Sequence, residues 1–219
     1  MANQGAKAGR LFSLMVFLCD RHPPIVLSSV LDTSYFGWLR RGSAKEFMFF
    51  ASRELIERTD PGKRQTINHE LKEPIDGLSK FVVHVHSNPM NNIGCVVITD
   101  SDYNHRAAYG LILKATEIVE KDFGLQLASL GKQAGDQNWS SPNLNDIFRK
   151  YTSPQEVDQM MKIQKDLDET REIMIQNIDK LLANGENLEA LMEKSQDLSF
   201  KTKAFLKQTK ELNRCCTII

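Results

Sequence analysis

Several kinds of protein are excluded by what this sequence lacks. Its 219 residues carry 28 basic and 28 acidic side chains, so it lacks the net positive charge typical of a general nucleic-acid-binding protein. No C-x-x-C pair is present to hold zinc or a redox disulfide, and no G-x-x-x-x-G-K-S/T loop is present for nucleotide phosphates. The longest apolar run, residues 11–19, is far shorter than the roughly 20 residues that span a bilayer. We therefore expect no nucleic-acid partner, no metal site, no cofactor and no enzymatic activity.

The apolar run at residues 11–19 has two interpretations. Because Lys7 and Arg10 precede it, it resembles the start of a secretory signal peptide. No small-x-small cleavage site follows, however, and the next residues are charged or proline. We therefore interpret residues 11–19 as a buried strand that pairs with a second strand at residues 25–31 across a short turn.

Proline divides the chain into two parts. All seven prolines lie at or before Pro154, and the remaining 65 residues contain a single glycine, Gly185. In the first part, further strands are predicted at residues 81–86 and 93–99, and helical periodicity follows each strand pair. Ser43 and Glu46 have the spacing of a capping box at the start of the first helix. Because hairpins outnumber crossovers, this part is predicted to be an α+β domain with an antiparallel sheet.

The second part carries a sustained apolar seam at alternating spacings of three and four residues. Its apolar members are Met160, Ile163, Leu167, Met174, Leu181, Leu188, Leu191, Leu198, Phe205 and Leu212. This pattern predicts a coiled-coil helix about 80 Å long if it forms in one piece. Six further seam positions are polar or small, which weakens self-association, and Gly185 permits a break. Because of this possible break, the long helix is expected to form only when partners are present. The alternative is a self-contained amphipathic helix packed on its own globular domain.

Residues 216–219, Cys-Thr-Ile-Ile, match the C-a-a-X pattern for prenylation, and Cys215 offers a second site for a lipid. Between Leu198 and Arg214 there is one acidic residue, Glu211, and there are five basic ones: Lys201, Lys203, Lys207, Lys210 and Arg214. Such a patch is attracted to anionic lipid surfaces. Since one lipid chain anchors only marginally, a second chain on Cys215 is expected to decide how long the protein stays on a membrane.

Two other groups of side chains have alternative interpretations. His84 and His86 alternate onto one strand face and could chelate a metal, but we expect a solvated sheet face instead. Phe47 and Phe50 belong to a run that places apolar groups around more than one helix face. They either fill the core or form an apolar groove for the chain's own C-terminal segment, its lipid or a partner helix.

These segments together resemble the prenylated, synaptobrevin-like longin R-SNAREs of the YKT type. The resemblance rests on SAKEFMFF at residues 43–50, GCVVITD at 94–100, YTSPQEVDQMMKIQKDLDET at 151–170, LLANGENLEAL at 181–191 and CCTII at 215–219. It implies a profilin-like longin domain, with a five-stranded antiparallel sheet and three helices, followed by a SNARE coiled-coil helix. The implied organisation is a flexible N-terminus (1–9), longin domain (10–152), linker (153–156), SNARE motif (157–214) and lipidation box (215–219).

The resemblance also implies a function in vesicle docking and membrane fusion. The SNARE motif would join three Q-SNARE helices in a four-helix bundle during ER–Golgi, Golgi and endosomal or vacuolar transport. The protein would cycle between a closed cytosolic form, with its SNARE segment or lipid on the longin domain, and a form anchored to the cytoplasmic face of these membranes. Prenyl and palmitoyl transfer enzymes would modify Cys216 and Cys215, the latter with palmitate or a second prenyl group.

One residue departs from the family pattern. The central seam layer of R-SNAREs carries an Arg, whereas alignment on Leu181 and Leu188 puts Asn184 in that layer. Asn can hydrogen-bond to partner glutamines but supplies no charge-assisted bond. The alternative function is therefore a lipid-anchored regulatory adaptor that binds SNARE partners without driving fusion.

Overall fold

A computed structural model describes residues 9–153, 173–182, 187–196 and 198–205 of the chain. The N-terminal domain has the α+β architecture that the sequence predicts: five antiparallel strands with one helix on one face and two on the other. A sixth strand, from the C-terminal part of the chain, extends this sheet. The expected α+β class is therefore confirmed, and the sheet is one strand wider than expected.

The sheet runs in the order β2-β1-β5-β4-β3-β6. Its strands are β1 (Leu11–Leu18), β2 (Ile25–Leu31), β3 (Arg64–Ile75), β4 (Leu78–Asn88), β5 (Ile93–Thr99) and β6 (Ile173–Asn177). All neighbours are antiparallel except β3 and β6, which are parallel. Strand β1, which lies between β2 and β5, is buried along its whole length, since both of its faces are covered.

Six helices are described: α1 (Arg41–Glu57), α2 (His105–Ala128), α3 (Pro142–Thr152), α4 (Ile178–Leu181), α5 (Leu188–Lys194) and α6 (Phe200–Phe205). The side chains of Asn104 and Ser141 cap α2 and α3. The capping box expected at Ser43 is wrong, because α1 begins at Arg41 without a side-chain cap. No helix in the described ranges is long and apolar enough to cross a membrane.

Two apolar layers hold the domain together. On β1, Met15 and Phe17 point toward α1, whereas Leu14 and Val16 point toward α2 and α3. This alternation follows from the two-residue period of a strand. The layer beneath α1 continues into the C-terminal segment and so positions the candidate site described below.

The expected solvated face around His84 and His86 is wrong. His84 is fully buried, and its ring nitrogens lie 3.2 Å from Thr66 Oγ1 and 3.2 Å from Thr99 Oγ1. Burial, together with repulsion from His105, lowers the pKa of His84 to about 3, so the ring is neutral at physiological pH. His86 is also buried, and its Nδ1 lies 3.0 Å from the Lys63 carbonyl oxygen. The sequence pattern missed this arrangement because α2 covers the face.

The C-terminal segment is not one long helix in this conformation. Its described part forms β6 followed by the short helices α4, α5 and α6. In this conformation residues 173–182, 187–196 and 198–205 do not form the single continuous helix expected of a coiled coil, and Asn184 and Gly185 lie outside the described residues. The segment satisfies its backbone groups locally, as when Asn187 caps α5 by accepting from the Ala190 amide at 2.8 Å.

Gly94 on β5 is expected to be intolerant of a side chain. A Cβ there would lie 2.7 Å from Cys19 Sγ and 2.7 Å from Ile56 Cδ1. Gly94→Ala should therefore lower the free energy of unfolding by about 1–3 kcal/mol, measured by chemical denaturation. Gly124→Ala, in α2 with nothing within 4 Å of the new Cβ, is the control and should stabilise by up to about 1 kcal/mol. Equal stability of the two variants would contradict the close packing at Gly94.

Candidate functional site

The candidate site is the surface where the C-terminal segment folds back on the N-terminal domain. Strand β3 is the edge of the five strands that the N-terminal domain contributes to the sheet, and β6 pairs with it in parallel, from Arg64 opposite Ile173 to Asn68 opposite Asn177. The Gln176 side chain also donates to Gln65 Oε1 at 2.9 Å. The edge strand β3 would otherwise present unpaired amide and carbonyl groups, so β6 covers a surface prone to pairing with other chains.

An aromatic cluster joins α6 to the domain. The Phe205 ring lies 5.9 Å from the Phe47 ring and 6.0 Å from the Phe36 ring, measured between centroids. Phe47 in turn lies 5.4 Å from Phe81 on β4. All four rings are at most 5% exposed. Because burying one such side chain contributes about 1.5–3 kcal/mol, Phe205 is a main apolar anchor of the folded-back segment.

Glu46 on α1 supplies the polar counterpart of this anchor. Its Oε2 accepts from Thr202 Oγ1 at 2.7 Å and from the Ser199 amide at 3.1 Å. Partial desolvation disfavours the carboxylate, but these two hydrogen bonds outweigh it, so the pKa of Glu46 lies below its ordinary value. Glu46 therefore holds the start of α6 against α1 instead of capping its own helix.

A cavity of about 610 Å³ lies beside these anchors, between α1 and the segment at α5. Apolar walls come from Pro23, Phe49, Phe50, Leu191 and Leu198. The rim is charged and includes the Arg53–Asp136 pair, with Nη2 2.5 Å from Oδ2, and the Arg58–Glu54 pair. Its volume falls in the range that binds ligands of drug size, and its apolar walls suit an acyl or isoprenoid chain.

The described seam residues all lie on the C-terminal segment and differ in how deeply they are buried. Leu188, Leu198 and Phe205 are buried against the domain, Leu181 and Leu191 are partly buried, and Met174 is 45% exposed on β6. Of the predicted groove residues, Phe47 lies in the core and Phe50 lines the cavity. Lys201 is exposed, and Lys203 Nζ donates to the Glu193 carbonyl oxygen at 3.1 Å.

Other predicted site residues lie outside the described residues. They are Met160, Ile163, Leu167, Asn184, Lys207, Lys210, Leu212, Arg214, Cys215 and Cys216.

Sequence reasoning missed several residues of this interface. Ile178, Leu182 and Met192 are buried although each lies one residue from a seam position. The broken helices rotate relative to one another, so no single helical stripe contains all the buried residues. The spacing of Ser43 and Glu46 predicts a helix cap, whereas the actual partners of Glu46 are distant in sequence and no local pattern identifies them.

This arrangement makes two uses of the seam mutually exclusive. Leu188, Leu198 and Phe205 cannot pack against other helices while the domain buries them. A partner helix bundle therefore competes with the fold-back, and the outcome depends on the difference in free energy between the two.

The chain resembles known proteins over nearly all of its length. Residues 159–218 match the family described as Synaptobrevin. The chain is 36% identical to VAMP-like protein YKT61 of Arabidopsis thaliana, with 96% of this chain and 100% of that protein covered. It is 35% identical to VAMP-like protein YKT62 of the same plant, over 96% and 100%. It is 32% identical to Synaptobrevin homolog ykt6 of Schizosaccharomyces pombe, over 95% and 99%.

Loss of the negative charge at Glu46 is expected to loosen the fold-back. Glu46→Gln should cost about 1 kcal/mol because a neutral acceptor replaces a charged one at a partly exposed site. Hydrogen exchange at the amides of α5 and α6 should then be about fivefold faster. The wild-type contact should weaken likewise as pH falls through the lowered pKa of Glu46, since the contact stabilises only the ionised form.

Glu54→Gln is the control, because Glu54 pairs with Arg58, the residue directly after α1, and not with the C-terminal segment. Equal exchange rates in the two variants would contradict a role for Glu46 in holding α6.

Proposed function

Because the chain belongs to the YKT6 group of synaptobrevin homologues, which are SNARE proteins of vesicle trafficking and not enzymes, we propose that it is a fusion SNARE with a closed resting state. In the open state its SNARE motif joins three Q-SNARE helices in a four-helix bundle, which draws two membranes together. In the closed state the same motif lies on the N-terminal domain.

The burial of the seam on the chain's own domain is the observation that best supports this proposal. Leu188, Leu198 and Phe205 meet α1 or the sheet instead of solvent, and the Glu46 contacts add a polar constraint. A free SNARE motif would expose these apolar groups and an unpaired strand edge, both of which promote aggregation. The fold-back protects the protein until partners are available.

Cys216 is the proposed prenyl site, and Cys215 takes palmitate or a second prenyl group by the action of the corresponding transfer enzymes. The cavity of about 610 Å³ between α1 and α5 is the proposed shelter for a lipid in the closed state. Fourteen residues, 206–219, follow Phe205, which is enough chain to return a lipid to this cavity. The basic residues of this stretch would then meet anionic lipids in the open state.

Membership of this family supports a role in membrane-associated trafficking, and we propose that the closed form is a cytosolic pool. We propose the cytoplasmic faces of Golgi, ER-derived vesicle and endosomal or vacuolar membranes as its sites of action.

A second candidate function follows from the identity of residue 184. Asn at the central layer lacks the charge of the family's Arg, which favours a regulatory adaptor that occupies SNARE partners without driving fusion. Lipid mixing between vesicles separates the two functions. If the protein is a fusion SNARE, the wild-type chain should drive lipid mixing. If it is an adaptor, the wild-type chain should bind partners without lipid mixing, and only the Asn184→Arg variant should drive mixing.

Complex formation with three Q-SNARE helices is the first expected result. The full chain should gain helix by circular dichroism, because a continuous helix would replace β6 and the short helices. Leu188→Asp should weaken the complex by more than about tenfold, since it buries a charge in the seam. Ala190→Asp adds the same charge off the seam and is the control. Binding without any gain of helix would contradict the proposal.

Membrane recovery should depend on Cys216. Cys216→Ser should shift the protein to the supernatant in cell fractionation, because a prenyl chain contributes about 0.8 kcal/mol per buried CH₂ and precedes the second lipid. Cys215→Ser should retain weaker, reversible binding through the remaining chain. Undiminished recovery of Cys216→Ser in membranes would contradict prenylation at this residue.

A further inference from the structure

The loop between β2 and α1 displays two large apolar side chains to solvent. Trp38 is 77% exposed and Leu39 is 73% exposed. They are adjacent, and neither lines the cavity between α1 and α5. Single exposed apolar residues are common on protein surfaces, but an adjacent Trp–Leu pair exposed to this extent indicates a contact with something else.

Hydrogen bonds and core packing fix the conformation of this loop, and this conformation exposes Trp38 and Leu39. Phe36, two residues before Trp38, is 1% exposed in the core. The turn between β3 and β4 fixes the other side, since Asp76 Oδ2 accepts from the Gly37 amide at 3.0 Å and Asp76 Oδ1 from Arg40 Nη1 at 2.6 Å. Tyr35 also donates its hydroxyl to the Asp76 carbonyl oxygen at 2.7 Å. The loop thus presents Trp38 and Leu39 from a rigid base.

Two basic side chains near the start of α1 follow this pair in the chain, and the first of them, Arg41, donates through Nε to the Phe36 carbonyl oxygen of the same loop at 3.2 Å. Arg41 and Lys45 are exposed one turn apart on α1, and no carboxylate among the described residues forms an ion pair with either. The closest acidic residue on that turn, Glu46, is engaged by Thr202 and Ser199. An apolar pair beside unneutralised cations has the chemistry of a peripheral site for anionic lipid, and indole rings favour the membrane interface.

The course of the chain also favours a membrane as the occupant. Phe205, which ends α6, contacts Phe36 in this same loop. Ten residues then lead to Cys215, so a lipid there is at most about 35 Å of extended chain from Phe205. A membrane that receives the lipids therefore lies within reach of Trp38.

We propose that Trp38 and Leu39 form a second membrane contact, which inserts into the interface of an anionic bilayer while Arg41 and Lys45 meet lipid phosphates. This contact rests on the proposed membrane anchoring of the C-terminus but uses different residues. The lipidated protein then touches the bilayer at two points, and the second raises the residence time through effective concentration.

Tryptophan quenching by brominated lipids tests this contact directly. The chain has two tryptophans, and Trp139 packs on Phe123 with ring centroids 5.0 Å apart. Trp139→Phe therefore reports on Trp38, and Trp38→Phe reports on Trp139. Each full-length chain is coupled through Cys215 and Cys216 to maleimide lipid in vesicles that contain phosphatidylserine and bromine-labelled acyl chains. Chemical coupling makes the outcome independent of cellular prenylation.

Quenching of Trp38 but not of Trp139, reduced in vesicles without phosphatidylserine, is the expected result. Unquenched Trp38, or equal quenching of both tryptophans, would overturn the proposal. With uncoupled protein, the double change Trp38→Ala and Leu39→Ala should lower vesicle affinity about tenfold. Met90→Ala is the control, since Met90 is 89% exposed in the β4–β5 loop, at the opposite end of the sheet from the Asp76 turn. An equal loss for Met90→Ala, or partner binding weakened with vesicle affinity unchanged, would also overturn the membrane contact.

Discussion

The apolar side chains of the C-terminal segment must be buried, and this constraint determines how the segment packs against the N-terminal domain. Phe205, Leu198 and Leu188 find cover on α1 and the sheet. In exchange, Phe47 and the edge strand β3 are themselves covered. The C-terminal segment and the domain therefore bury each other's apolar surface. A partner that binds either one must supply enough binding free energy to offset the loss of this burial on both.

The same constraint explains why the segment is broken in this conformation. A straight helix presents one stripe, whereas the domain offers an edge strand, a helix and an aromatic pocket that are not collinear. Because α4 ends at Leu181 and α5 spans only Leu188–Lys194, residues from different helical stripes, such as Ile178 and Met192, reach this surface. The lost helical hydrogen bonds are partly replaced by the β6–β3 ladder. Rearrangement to a continuous helix would thus exchange one set of backbone hydrogen bonds for another.

Sequence patterns predicted features whose cause is local and missed those whose cause is distant. The β1–β2 hairpin, both β4 and β5, and the apolar faces of α1 to α3 follow from periodicity. Strand β3 has no apolar run, since its edge position leaves much of it polar, and it was not predicted. The local pattern indicates a surface position for His84, because the groups that bury it, Thr66, Thr99 and α2, are distant in sequence. Glu46 likewise has the spacing of a cap, but its partner Thr202 is 156 residues away.

The two proposed membrane contacts have different physical limits. A lipid on Cys216 supplies affinity but does not orient the domain, because it is attached 11 residues beyond the end of α6. The loop at Trp38 is rigid and therefore fixes orientation, but two side chains alone supply little affinity. If α6 leaves Glu46 and Phe47 for a helix bundle, the link between loop and lipid is released, while the loop itself stays fastened to Asp76. A membrane contact made by the loop would then keep the domain at the bilayer while the SNARE segment assembles elsewhere, so the domain need not diffuse away on opening.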